Sequence, residues 1–113
     1  MRLLGLEPGY AEVLMPYRRE LATLGDTVHG GAIGSLIDSA ATAAAWSEAE
    51  VAAGSRGTTI GFTVNFVAAA RGRNLTAKAR VIQRGRTLCF SEVDVFDADE
   101  RLVAKGLVTY KLE

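Results

Sequence analysis

The feature that most constrains this chain is the run over residues 29–45, HGGAIGSLIDSAATAAA. It is small and apolar, and between positions 31 and 45 its one charged residue is Asp38. Such a run predicts a helix over 31–51, buried nearly all round. A carboxylate inside it costs free energy unless it is hydrogen-bonded, which singles Asp38 out as functional. Ser35, three residues before Asp38, and Thr42, four after, share its helical face, so their hydroxyls would keep it ionised and hold a water against it. Gly30 and Gly31 fall where the helix begins. Their backbone N–H groups, at the positive end of the helix dipole, suit an oxygen carrying negative charge.

Spacing limits how these parts can cooperate. His29 and Asp38 are nine residues apart. On a helix that puts them on opposite sides and about 13 Å apart along the axis. One chain therefore cannot bring its helix start and its Asp38 to the same reacting atom. If they cooperate, two chains lie with helices antiparallel, Asp38 of one facing Gly30 of the other. The expectation is a homodimer with two equivalent sites.

The remainder of the chain suits strands. Residues 1–9 read as a lead-in, broken by Pro8 and Gly9. Over 10–17, Ala11, Val13, Met15 and Tyr17 alternate on one face, giving a first strand. Residues 18–28 show no clean period and read as a loop into the helix. Trp46 is expected to pack near the helix end, and Gly54 with Ser55 to stop it. Four further strands follow, over 58–67 (Ile60, Phe62, Val64 and Phe66 on one face), 74–83 (Leu75, Ala77, Ala79, Val81), 87–96 (Cys89, Val93, Val95) and 102–112 (Ala104, Gly106, Val108, Tyr110). Short polar turns between them favour antiparallel pairing. The order β-α-β-β-β-β predicts a two-layer α+β domain: a five-stranded antiparallel sheet wrapped around one long central helix.

Composition narrows the function classes. A chain of 113 residues, 49% hydrophobic and 23% charged, suits one globular domain over 1–113. Thirteen basic and thirteen acidic residues cancel, which argues against a general nucleic-acid or membrane-surface binder. The apolar run at the start, MRLLGLEPG, is too short for a signal peptide, and no stretch is long enough to span a membrane, so a cytoplasmic protein is expected. One His and scattered acids supply no metal-ligand set. Cys89 is the one cysteine and reads as core. Ser35 and Ser39 have no His base in reach on a helix, which disfavours serine-hydrolase chemistry.

HGG followed by an acid nine residues after the His, a small-residue helix, and then TTIGFTVNF resembles the hotdog-fold acyl-CoA thioesterases, in particular the PaaI-type phenylacetate-pathway branch. The resemblance covers almost the whole chain. It implies the hotdog fold, a homodimer with active sites at the interface, dimers that often pair again into a homotetramer, and hydrolysis of acyl-CoA thioesters. It implies that Asp38 acts as nucleophile or as general base for water. It implies that the Gly30 N–H polarises the thioester carbonyl, while His29 orients the loop or meets the sulfur side. Thr42 occupies the place of a water-positioning threonine found in some relatives, and Thr59 matches a hydroxyl position in part of the family. Gly31, Ser35 and Thr23 fall among the substrate-binding positions. No cofactor is implied, since coenzyme A is part of the substrate.

The chain departs from the pattern in places. Thr23 stands where the family carries Asn or Gln, Gly61 stands where many relatives carry a polar residue, and the N-terminal segment is short. Arg71, Arg73, Arg84 and Arg86 flank the third strand, and the Arg84-Gly85-Arg86 turn is chosen to hold the coenzyme A phosphates. The acyl group is expected to be aryl or medium-chain. The alternative is a non-catalytic acyl-CoA sensor or scaffold on the same fold. An enoyl-CoA hydratase fits poorly, because that chemistry wants a His and an acid close together in one site.

Overall fold

The computed structural model describes residues 1–48 and 54–113. Six strands, β1 (Arg2–Glu7), β2 (Tyr10–Met15), β3 (Gly57–Phe66), β4 (Leu75–Arg84), β5 (Leu88–Phe96) and β6 (Leu102–Leu112), form one antiparallel sheet around the helix α1 (Gly30–Ser47). Their order in the sheet is β1-β2-β4-β5-β6-β3, so β1 and β3 are the two edges. A single 3₁₀ turn, Arg19–Leu21, interrupts the loop before α1.

The sheet therefore has six strands among the described residues, one more than expected. The extra strand is β1, where the sequence reads as a lead-in. Pro8 and Gly9 do not end structure there; they form the two-residue turn of a hairpin in which Glu7 pairs with Tyr10. Gly9 takes φ +78°, a left-handed value that glycine adopts without a Cβ clash. β1 shows no in–out alternation because an edge strand can leave Leu3, Leu4 and Leu6 half exposed. β2 is shorter than expected and ends at Met15, before Pro16.

The core lies between α1 and the inner sheet face. Ile33, Leu36, Ile37, Ala40, Ala41 and Ala44 pack against Val13, Ala77, Ala79, Val93, Val95 and Val108, all buried. Small residues on both layers let helix and sheet approach closely. A Cβ added to Gly106 would lie 2.8 Å from Ile37 Cγ2, so that glycine is required by the helix above it.

α1 is not buried all round. Gly31, Ser35 and Ser39 are exposed, and Gly34, Asp38 and Thr42 are half buried, along one stripe. The stripe is open because the sheet ends at β3. α1 ends at Ser47, short of the expected position 51; Glu50 and Val51 lie outside the described residues.

β3 pairs along its length with β6, leaving its other edge open. The register shifts between Thr59 and Gly61, so Ile60 is the extra residue of a β-bulge. Phe62, Val64 and Phe66 sit opposite the buried Val108, Gly106 and Ala104, hence on the inner face. Ile60 does not join them, and Thr59, opposite the buried Tyr110, does. Bulges re-aim side chains in this way. The inner face of β3 is not core: Phe62 and Phe66 are about half exposed, at 49% and 54%.

Candidate active site

The N-terminal half of α1 and the inner face of β3 enclose a groove of about 430 Å³. Gly30, Gly31, Gly34, Ser35 and Asp38 line it from the helix; Phe62, Val64 and Phe66 line it from the strand.

One end of the groove is the helix start. His29 is the N-cap, with extended backbone at φ −61° and ψ 135°. Its Nδ1 accepts from the Gly31 N–H at 2.8 Å, which places the proton of the neutral ring on Nε2. The Ala32 and Ile33 N–H groups both donate to the His29 carbonyl, at 3.0 and 3.2 Å. The Gly30 N–H is left without an acceptor among the described residues. Free first-turn amides at the positive end of a helix suit a developing oxyanion. A Cβ on Gly30 would come within 3.2 Å of Phe66 Cζ, so the ring can lie this close only over a glycine.

The other end is Asp38. Its Oδ1 accepts from the Thr59 hydroxyl at 2.5 Å. The Ile60 bulge is what delivers that hydroxyl. Ser35, expected to support Asp38, donates instead to the Gly31 carbonyl at 3.1 Å, a bond within the helix. Thr42 is half buried four residues on and forms no hydrogen bond with Asp38 among the described residues. Gly31 and Asp38, seven residues apart, lie on one helical face, and Gly30 lines the same groove. Gly30 and Gly31 thus share the groove with the acid, whereas His29, nine residues from Asp38, is not among the residues that line it. Eight residues still separate Gly30 from Asp38, about 12 Å along the axis, so no single carbonyl oxygen can touch both within one chain.

The remaining candidate residues lie elsewhere. Thr23 is exposed and bound within its own loop, its N–H donating to the Thr27 carbonyl at 2.8 Å. Arg84 sits at the far end of α1, where Nη2 donates to the Ala45 carbonyl at 2.5 Å and Nε pairs with Glu48 Oε1 at 2.6 Å. A guanidinium there satisfies a terminal helix carbonyl. Arg86 is exposed beside it in the β4–β5 turn. Arg71 lies in the segment that pairs with the approach to the helix: it bridges to Thr27, and the Val28 N–H donates to the Ala70 carbonyl at 2.8 Å. Arg73 is engaged with Asp99 at 3.0 Å. Burial pushes the Cys89 thiol above its ordinary pKa, which suits a core residue. No cluster of three or more His, Cys, Asp or Glu side chains suited to a metal occurs among the described residues. Nor, among them, is any helix long and apolar enough to cross a membrane.

Four groove residues, Gly34, Phe62, Val64 and Phe66, are not singled out as site residues by the sequence. The alternation of Phe62, Val64 and Phe66 is visible in it, but marks an inner strand face without saying that the face is open.

Comparison with known proteins agrees with this architecture. The family described as the thioesterase superfamily matches residues 25–104. Human acyl-coenzyme A thioesterase 13 is 28% identical over 112 residues, covering 97% of this chain and 78% of that protein. A thioesterase family protein from Silicibacter pomeroyi superposes with a TM-score of 0.89 at 31% identity, covering 98% of this chain and 82% of its own. A Streptococcus pneumoniae thioesterase protein crystallised with coenzyme A superposes with a TM-score of 0.88 at 23% identity, covering 99% of this chain and 84% of its own. With its hotdog sheet and helix, and a family match over most of its length, this chain belongs to the thioesterase superfamily and is a thioester hydrolase.

Proposed function

We propose that the protein hydrolyses the thioester of an aryl- or medium-chain acyl-CoA to the free acid and coenzyme A. The observation that carries this reading is a groove with an unsatisfied Gly30 N–H at one end, a hydroxyl-supported Asp38 at the other, and phenyl rings along its wall. The human relative is an acyl-coenzyme A thioesterase, and the S. pneumoniae relative binds coenzyme A.

Two protomers complete the site. The separation of about 12 Å within one chain calls for Gly30 of one protomer and Asp38 of its twin. The unpaired edge of β3, with half-exposed apolar side chains, suits pairing with a second copy. Phe90 and Leu107, exposed on the outer sheet face, offer apolar surface for two such dimers to form a homotetramer.

In the proposed reaction the thioester carbonyl points at Gly30 of one protomer. Asp38 of the other takes a proton from a water whose oxygen attacks the carbonyl carbon, or attacks that carbon itself and is freed by water in a second step. Negative charge on the carbonyl oxygen is met by the Gly30 N–H. Collapse breaks the C–S bond, and the coenzyme A thiolate leaves and is protonated. His29 holds the Gly31 N–H and so fixes the loop that presents Gly30. Thr59 supports the carboxylate, and Thr42 and Ser35 border the water and acyl positions. No cofactor is needed, since coenzyme A enters with the substrate.

The test is thiol release across a panel of acyl-CoAs, with Asp38→Asn beside the wild type. The variant keeps shape and loses charge, so kcat should fall by about 1,000-fold or more with KM little changed. Near-normal turnover in Asp38→Asn would sink the mechanism. Binding without release of coenzyme A from any member would favour the sensor.

A further inference from the structure

The glycines of the groove are not alike. A Cβ on Gly30 would press on Phe66 at 3.2 Å, and one on Gly31 would press on His29 Nδ1 at 3.1 Å. A Cβ on Gly34 would meet Phe62 Cε2 at 3.7 Å and Cζ at 3.9 Å, which is ordinary contact. Gly34 lies within α1 and has no left-handed φ. Neither backbone nor packing within the chain asks for glycine there, and a glycine inside a helix lowers stability relative to alanine.

What the missing side chain leaves is room. Gly34 lines the groove between the helix start and Asp38, across from the Phe62 ring. An acyl group whose thioester lies in this groove must run between α1 and β3. The flat rings of Phe62 and Phe66 offer it an apolar wall.

We infer that Gly34 is a specificity-determining residue: with no side chain on it, the groove stays open where Gly34 and Phe62 border it, and that width sets how large an acyl group can lie along the groove. The inference rests on the thioesterase reading above. Acetyl is too short to need that space; longer chains and aryl groups do. A methyl at position 34 would fill the gap against Phe62, and an apolar pocket that loses room for one methylene discriminates by about 10- to 200-fold.

The experiment compares wild type, Gly34→Ala and Gly34→Leu as full-length protein. Leucine is a good helix former, so the larger variant should still fold. Three quantities are measured: kcat/KM on straight-chain acyl-CoAs from acetyl to decanoyl and on phenylacetyl-CoA, melting temperature, and oligomeric mass. Gly34→Ala should melt higher, by about 2 to 6 °C, because it gains helix propensity. Its mass should be that of the wild type, and any loss on acetyl-CoA should be smaller than the loss on longer acyl groups. On the largest acyl group that the wild type accepts, kcat/KM should fall about tenfold or more, with the cut-off at shorter chains in Gly34→Leu. An equal loss on every acyl group, or a loss on none, would overturn the inference. So would a change of mass together with loss of all activity, which would mean that the glycine serves contact between protomers. A wild type that frees no coenzyme A from any member fails the thioesterase reading itself, and the inference falls with it.

Discussion

The two halves of α1 lie over the same sheet and are treated differently by it. Over residues 30–38 the helix carries three glycines, leaves a first-turn N–H unsatisfied and faces β3, whose inner side chains are half exposed. Over residues 39–47 it carries alanines buried against the sheet, and its end is closed. Trp46 Nε1 donates to the Tyr110 hydroxyl at 2.8 Å, Arg84 holds the Ala45 carbonyl, and the Ser47 hydroxyl accepts from the Gly9 N–H at 2.9 Å. At the C-terminal end a side chain holds the Ala45 carbonyl; at the N-terminal end the Gly30 N–H is left open among the described residues. A rigid C-terminal half can hold an unfilled N-terminal half in place. That is how one short helix can serve as both core and site.

Substitutions at the open half should therefore change turnover more than stability, and substitutions at the closed half the reverse. The largest departure between the two, beyond loss of Asp38 itself, is expected at Thr59. Thr59→Val removes the one hydroxyl that bonds the Asp38 carboxylate among the described residues and keeps the side-chain shape. A hydrogen bond to a charged group is worth roughly 1.5 to 3 kcal/mol, so kcat should fall about 10- to 100-fold. The melting temperature should change little, because Thr59 lies on an edge strand. A variant that melts much lower at unchanged kcat would place Thr59 with the closed half and break the comparison.

The same contrast explains what could be read in the sequence. β4 and β6 were legible because Leu75, Ala77 and Ala79, and Ala104, Gly106 and Val108, alternate over a covered face. Asp38 was legible because a lone carboxylate in an apolar run needs a partner. The identity of that partner was not. Helical spacing points to Ser35 and Thr42; Thr59 is named only by the family resemblance, and it is a bulge at Ile60, a matter of strand register, that brings its hydroxyl to Asp38. Simple alternation from Ile60 would have turned Thr59 to the outer face. Phe62 and Phe66 read as one strand face, and hydropathy does not separate a buried face from the wall of a groove at a sheet edge. β1 went unread for a related cause, since both its faces are open. Arg84 reads as a phosphate ligand or a solvated hairpin end; its bond to the Ala45 carbonyl depends on the fold and is not visible in the sequence.

At the closed half, Arg84→Ala removes the cap on Ala45 and the partner of Glu48 together. The Arg84 and Glu48 side chains are 29% and 27% exposed, so the pair itself adds little and the loss should come mainly from the uncapped Ala45 carbonyl, at about 1 to 2 kcal/mol. Denaturant unfolding measures it. With short acyl-CoAs kcat should stay within about twofold, because the cap lies some 22 Å along the helix from Gly30. A large fall in kcat at unchanged stability would mean that the two halves are coupled. A rise confined to KM for acyl-CoAs would instead return Arg84 to the phosphates.

The smallest effect is expected behind the open half, at the β5–β6 turn. Asp97 accepts from the Arg101 and Asp99 N–H groups through Oδ1, each at 2.9 Å, and from Arg101 Nε through Oδ2 at 3.2 Å. Arg101 in turn donates to the Ala69 carbonyl at 2.8 Å, next to Ala70, whose carbonyl holds Val28 just before His29. The turn thus backs the segment that presents the helix start. These bonds, the Arg101 N–H foremost, hold the Asp97 carboxyl below its ordinary pKa. A carboxylate whose pKa is lower folded than unfolded stabilises the fold above its unfolded value, about 3.9, and that contribution is lost as pH falls through the folded value. The melting temperature of the wild type should therefore exceed that of Asp97→Asn by a constant small margin from about pH 5 to 8. The margin should shrink below about pH 4, while kcat at neutral pH stays near that of the wild type. A margin that persists undiminished on the acid side would assign the difference to amide geometry rather than to charge. A fall in kcat without one in melting temperature would show that this turn tunes the helix start directly, and the line between scaffold and site would then run through Arg101.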